Sequence, residues 1–412
     1  MEKPAVISES LGLKGAEAVG GAPAATTAGA ADSRLTARRP WPRVVGRRTA
    51  PEPGPTLLIT GGLHGNEPAG LFGLERVFEK LDLVGLARGE VIGLAGNLEA
   101  LTAGRRFIDE DLNRIWLRPR LEALRTGDPV SVEEHELRAL DQELRATLAR
   151  ARAEVYALDL HTISGPGPAF VVIDDTLLNR RFANRFPVPL VLGLDEELTG
   201  TMAHHLTAEG VIPVGFEAGQ HEESEAAERA EAAIWIALHG AGLLADGHAR
   251  VRAARRRLEL ESRGLPVVVE VRYRHAIVPE DGFRSRPGLI SFQEVKRDER
   301  LAADRGGDVR APLGGLVLMP LYQDQGEDGF FLVHPVRPFW LRLSERLRPW
   351  RLERFLHWLP GVRRHPDQPG AFIIDRRIAR WEALQFFHLL GFRRRGEAER
   401  HLVMARRKQG PG

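Results

Sequence analysis

Four short stretches hold side chains suited to metal or acid–base chemistry, and each lies at or near the end of an apolar run: GGLHGNEPAG at 61–70, RRFIDEDLNRIW at 105–116, ALDLHTISGPG at 157–167 and VGFEAGQHE at 214–222. His64, Glu67 and His161 supply two imidazoles and a carboxylate. That is the ligand set of a catalytic zinc ion, Zn2+, one per chain, with three protein ligands and a fourth position left for water. The two-residue gap lets His64 and Glu67 reach one ion from one turn, while His161 arrives from a separate strand. The chain has no cysteine, so a metal site must use His, Asp or Glu, and a reducing cytoplasm is the expected location. The glycine-rich turn has neither the G-x-G-x-x-G spacing nor the Lys-Ser/Thr pair of a phosphate cradle.

A bound metal needs support and a proton shuttle. Side chains alternate along a strand, so Asp159 points to the same side as His161 and can orient a ligand imidazole from behind. Asp111 competes for that role, and the sequence leaves both open. Glu217, between Phe216 and Ala218 after an apolar strand, is the candidate general base and acid, since a partly apolar pocket raises a carboxyl pKa. Arg106, Asn113 and Arg114 add fixed donors able to clamp a carboxylate or polarise a carbonyl.

The elements that must position these residues follow from pattern. At 412 residues, with 43% apolar and 28% charged residues, the chain reads as a soluble globular protein of two domains plus appendages. Residues 1–45, small and aperiodic, read as a flexible arm. Over 46–250 strand-like runs alternate with helical patterns, which predicts an α/β domain with a mainly parallel mixed sheet flanked by helices and a site at strand C-termini. Within it, 130–153 is an uninterrupted helix pattern whose His135 and Glu136 read as solvated. From 251 to 336 short β-rich runs separated by Gly and Pro predict a small all-β domain. Residues 337–412 hold 18 Arg or Lys against 7 Asp or Glu in amphipathic segments and read as a basic, Trp-rich helical extension, so the body before them is net acidic. No window reaches the length of a membrane span, and no signal peptide is read.

Taken in order, H-x-x-E in a GGxHGNE turn, R-x-I/F-D-x-D-L-N-R, D-L-H and E-x-G resemble the succinylglutamate desuccinylase/aspartoacylase family, the deacylating relatives of the zinc carboxypeptidases. The resemblance covers about residues 55–336. It implies a zinc-carboxypeptidase-like fold, with His64, Glu67 and His161 on zinc and Glu217 as general base and acid. It further implies that Arg106 polarises the scissile carbonyl, that Asn113 and Arg114 hold the α-carboxylate, and that a β-domain tyrosine, for which Tyr322 is the nearest candidate, covers the site. The implied activity is a zinc-dependent amidohydrolase that removes an acyl group from an N-acyl amino acid or similar small amide by attack of zinc-bound water.

One departure bears on specificity. Aspartoacylases carry an arginine about ten residues before the catalytic glutamate to grip a second carboxylate, whereas this chain has Thr207 there, near His204 and His205. The metal, the glutamate and the clamp would equally serve a metallocarboxypeptidase acting on short peptides, and a non-catalytic scaffold using the basic extension is the alternative of another class. Nothing in that extension resembles a named nucleic-acid motif. A homo-oligomer contact, or packing back onto the acidic body, is its expected role.

Overall fold

The structure, a computed structural model, describes residues 39–348, 352–366, 371–375, 387, 390, 392–398 and 401–406. Its first eight strands are β1 (Val44–Thr49), β2 (Thr56–Gly61), β3 (Glu90–Ala95), β4 (Val155–Ile163), β5 (Phe170–Val172), β6 (Leu190–Leu192), β7 (Ile212–Gln220) and β8 (Val268–Ala276). Strands β3, β2, β4 and β7 lie side by side and parallel. Strands covered on both faces must be apolar throughout, and β2 is buried at all six positions. Its residues alternate between two layers. Leu57 and Ile59 enter the core beneath helices Ala69–Val84 and Ser224–Gly240, whereas Leu58 enters the core beneath helix Val132–Arg150. Each such side chain contributes about 1.5–3 kcal/mol through the apolar surface it removes from water, which fixes the sheet between two helical layers.

The sheet does not end with the α/β alternation. Next along the chain come β9 (Arg284–Ser285), β10 (Glu294–Val295), β11 (Arg300–Asp304), β12 (Gly307–Arg310), β13 (Gly315–Leu318) and β14 (Asp328–Pro335). Among the described residues one eleven-stranded sheet runs in the order β1-β3-β2-β4-β7-β5-β6-β8-β14-β13-β10, and β12-β11-β9 form a separate small sheet. The β-rich texture expected from 251 is present, but β8 pairs parallel with β6 and antiparallel with β14, so the sheet is continuous across it. The boundary expected between 250 and 251 falls inside helix Ala249–Glu261, which packs on Ser224–Gly240. Local periodicity reports strands, not their partners.

Both ends need correction. Residues 1–38 of the expected arm lie outside the described residues, but Trp41 is buried against Phe72 with ring centroids 5.4 Å apart, and β1 starts at Val44. The extension is not simply helical. After helix Pro338–Leu347 come β15 (Val362–Arg364), β16 (Ala371–Asp375), β17 (Phe392–Ala398) and β18 (His401–Arg406), in a four-stranded antiparallel sheet with its own core of Phe372, Phe387, Phe392 and Met404. The Arg-rich run FRRRGEA has the composition of a solvated face, which hides its strand character. No helix among the described residues is long and apolar enough to cross a membrane.

Candidate active site

At the C-terminal end of β2 the chain turns sharply before helix Ala69–Val84. A Cβ on Gly65 would lie 2.0 Å from the carbonyl carbon of Ala100, so only glycine lets the turn pack there. The Glu67 N–H donates to the His64 carbonyl at 3.1 Å, which brings both side chains to one side. Glu67 Oε1 lies 2.9 Å from His64 Nδ1, and Oε2 lies 3.2 Å from His161 Nδ1. His161 comes from β4, the neighbour of β2. The three donor groups lie within 4.8 Å of one another and are buried.

The outward imidazole nitrogens resolve the choice between the two aspartates: each supports a different histidine. His161 Nε2 sits 2.8 Å from Asp159 Oδ2, and Thr60 Oγ1 donates to the other oxygen of Asp159 at 2.7 Å. His64 Nε2 sits 3.2 Å from Asp111 Oδ1. With Nδ1 facing the cluster, each Nε2–H is fixed by a carboxylate, the usual support for a metal-ligating imidazole. Burial pushes the Glu67 carboxyl up, but His64 and His161 more than offset it and hold it well below the ordinary range. Burial likewise opposes ionisation of Asp111, and His64 and Arg106 hold it low.

Register places the fourth group. His161 on β4 is the direct partner of Glu217 on β7, so the two side chains emerge beside one another. Burial pushes the Glu217 carboxyl up to about 8, against the pull of His161. Its Oε2 is buried and takes no hydrogen bond from any described residue. Two imidazoles and a carboxylate, with Glu217 lining the same cavity and one of its oxygens buried without a hydrogen bond from any described residue, fit a zinc ion held by three protein ligands with an open coordination position.

Arg106 enters the cavity with its guanidinium on Asp111 Oδ2 at 2.9 and 3.2 Å and on Glu67 Oε1 at 3.5 Å. Asp111 therefore links this cation to the His64 imidazole. Asn113 and Arg114 also line the cavity, but neither is idle: Asn113 Oδ1 accepts from the Met202 N–H at 2.9 Å, and Arg114 Nη2 donates to Asp328 of β14 at 3.2 Å. Tyr322, expected over the site, is bonded elsewhere. Its hydroxyl donates to the Arg286 carbonyl at 2.6 Å, it is 39% exposed, and it does not line the cavity. Its neighbour Gln323 lines the cavity instead, and Gln325 ties the same loop to the Arg106 backbone. Gln323 Oε1 accepts from Asn66 at 2.7 Å, and Gln325 Oε1 accepts from the Arg106 N–H at 3.1 Å.

Glu133 is a contributor that the sequence did not single out. Glu133, fully buried on helix Val132–Arg150, accepts the N–H groups of Ile108, Asp109 and Glu110 at 2.7, 3.0 and 3.2 Å and the Asn97 amide at 2.9 Å. It thereby clamps the loop carrying Arg106 and Asp111. His135 is exposed as expected, but Glu136 is buried on Arg43 rather than solvated. His221 bridges Thr162 Oγ1 at 2.7 Å and Gln323 at 3.0 Å, and burial depresses its pKa. Thr207 takes a bond from Asn179 at 3.3 Å, His204 Nδ1 lies 2.8 Å from Asp174 Oδ2, and His205 packs on Trp116. None of these three lines the cavity.

Residues 53–234 match the succinylglutamate desuccinylase/aspartoacylase catalytic domain. Among curated relatives, the succinylglutamate desuccinylase of Pseudomonas paraeruginosa is 44% identical over 66 residues, 15% of this chain and 19% of that protein. The probable aspartoacylase of Parasynechococcus marenigrum is 32% identical over 171 residues, 39% of this chain and 52% of that protein. The chain thus spans about half or less of the length of these curated relatives. Among solved structures, a succinylglutamate desuccinylase/aspartoacylase from Rhodobacter sphaeroides aligns with TM-score 0.52 at 20% identity, covering 70% of this chain and 87% of that one. The product-bound ectoine utilization protein EutE (DoeB) from Ruegeria pomeroyi aligns with TM-score 0.50 at 21% identity over 69% and 85%. Both are likenesses of fold.

Proposed function

Through residues 53–234 the chain belongs to the succinylglutamate desuccinylase/aspartoacylase family, and from that premise we propose that it is a zinc-dependent amidohydrolase releasing the acyl group of an N-acyl amino acid or similar small amide. The observation that carries this reading is the buried His64–Glu67–His161 cluster with the unsatisfied Glu217 carboxylate beside it. Zinc held there would supply a Lewis acid for the substrate carbonyl and lower the pKa of a water ligand to about 7.

The chain's own groups do the rest. Glu217 takes the proton of the attacking water on its carboxylate and delivers it to the leaving nitrogen. Its raised pKa, about 8 before a metal is added, suits a group that must both accept and donate near neutrality. Arg106, held by Asp111 and Glu67, presents a fixed cation to the oxygen that gains charge as the carbonyl is attacked. Asp159 and Asp111 hold the two imidazoles in place. Asn113 and Arg114 bind the carboxylate of the amino-acid part, with Arg114 dividing its donors between substrate and Asp328.

A metallocarboxypeptidase would use the same groups on peptides. The loop from Met319 to Asp328, tied to Asn66 and to the Arg106 backbone, forms part of the cavity wall, which supports the smaller substrate. Incubation with paired N-acyl amino acids, dipeptides and longer peptides decides between them. Acid release from N-acyl amino acids that stops on chelation is the expected result; preferential release of C-terminal residues from longer peptides would overturn it.

A further inference from the structure

The wall of the cavity away from the metal ligands is made by the end of β5 and the segment after it, with Val172, Ile173 and Asp174, and by helix Leu194–Glu197, with Leu194 and Asp195. Both parts rest on the C-terminal extension. Asp175, the residue after the lining Asp174, is completely buried between two guanidinium groups. Arg180, five residues on, grips both of its carboxylate oxygens, one at 2.8 Å. Arg348, from the extension, donates to Asp175 Oδ2 at 2.7 Å and to the Asp175 carbonyl at 3.0 Å. The side chains of Arg180, Asp175 and Arg348 are 5%, 0% and 2% exposed, so this junction is dry.

Two further contacts join the same bodies. Leu341 of helix Pro338–Leu347 packs against the main core, and the Arg180 guanidinium reaches Ser344 Oγ at 3.4 Å. Strand β17 lies against helix Leu194–Glu197, the second piece of the wall. The extension therefore meets the cavity lining at two places remote in sequence, and at one of them it holds the backbone carbonyl as well as the side chain. A buried carboxylate shared by two arginines is costly to form and geometrically exacting, and a bidentate guanidinium fixes orientation more tightly than a point charge.

We infer that the C-terminal extension is part of the substrate site: Arg348 is a positioning residue that holds Asp174 and Asp175 from behind while β17 braces Leu194–Glu197, and together they set which acyl or amine groups the cavity accepts. This rests on the deacylase reading for the identity of the substrate, but not for the coupling itself.

The test uses the full chain with Arg348→Met and Arg348→Lys. The Met variant leaves Asp175 paired with Arg180, so no lone buried charge remains. The Lys variant keeps a charge and one of the two bonds, and carries the same test with a smaller change if the Met variant does not fold. Hydrogen exchange is followed at 172–176 and 194–198 together with zinc content, and kcat and KM are measured for N-acetyl, N-butyryl and N-succinyl forms of one amino acid. The expected result is exchange at least about tenfold faster at both segments, unchanged zinc content, and a relative kcat/KM across the acyl series altered about tenfold, chiefly through KM. Unchanged exchange overturns the inference whatever the activity, and so does faster exchange with an unchanged acyl ranking. Failure of the unaltered chain to turn over any of the three counts against the deacylase reading, while exchange still decides the coupling.

Discussion

His161 and Glu217 are direct partners on adjacent parallel strands, one imidazole and one carboxyl brought side by side by sheet register rather than by a loop. Burial of Glu217 in that position, against the pull of His161, makes the stability of the metal-free chain sensitive to pH. Burial raises the Glu217 carboxyl from 4.5 to about 8, so between these values the folded chain keeps a proton that the unfolded chain has released. The stabilisation is complete below about 4.5 and is lost as pH rises through about 8.

Glu217→Gln removes that dependence. In chelated protein, the melting temperature of the variant minus that of the unaltered chain should widen by several degrees between pH 5 and pH 8.5. His161, raised above its ordinary range by Asp159 and Glu67 although burial opposes this, weakens with rising pH in both proteins. Glu67 and Asp111, held low, lose their contribution only on acidification. A difference flat across this range would contradict the burial of an ionisable Glu217.

Glu133 acts at a distance. Its carboxylate accepts four N–H groups, three from the loop backbone, and glutamine can neither carry the charge nor accept with its amide nitrogen. Glu133→Gln should cost about 1–3 kcal/mol of stability and lower kcat about tenfold or more by loosening Arg106, with little change in KM. Denaturant melts and steady-state kinetics on one preparation check this. Wild-type kcat in a destabilised variant would restrict Glu133 to folding.

Arg114 should distinguish a carboxylate from an amide. Arg114→Met removes a charge-assisted bond worth about 1.5–3 kcal/mol, or one to two decades in kcat/KM, for an N-acyl amino acid. The corresponding C-terminal amide should lose far less. Equal losses on both would show that Arg114 serves only its bond to Asp328.

The acyl preference follows from Thr207. That residue is spent on Asn179 and Ala203, and His204 is occupied by Asp174, so neither offers the cavity the cation that a second substrate carboxylate would need. N-acetyl substrates should therefore match or exceed N-succinyl ones in kcat/KM for the same amino acid. A strong succinyl preference would point to a cation elsewhere in the wall.

What could be read from sequence was what local spacing controls. His64 and Glu67 sit in one turn, Asp159 and His161 on one face of one strand, and Glu217 at a strand end, so periodicity brought them together. Support by both aspartates could not be read, because the position of Asp111 depends on a loop clamped by Glu133 from a helix whose charges resemble a solvated face. The same limit separates Tyr322 from Gln323: both lie in one irregular loop, and only packing decides which of them lines the cavity. Arg114–Asp328 and Arg348–Asp175 join residues far apart in the chain, and no sequence period encodes such pairs. The arginines of β17 hid a strand for a related reason, since three consecutive charged residues give no apolar–polar alternation to read.

The central claim is that His64, Glu67 and His161 hold a zinc ion while Glu217 moves the proton. Zinc stoichiometry and turnover of an N-acyl amino acid, measured together on the unaltered chain, His64→Ala and Glu217→Gln, test it most directly. The expected result is about one zinc per unaltered chain, loss of the metal in His64→Ala, and retained zinc with turnover reduced about 10²–10⁴-fold in Glu217→Gln. An unaltered chain that takes up no zinc, or a Glu217→Gln variant with full activity, would contradict it.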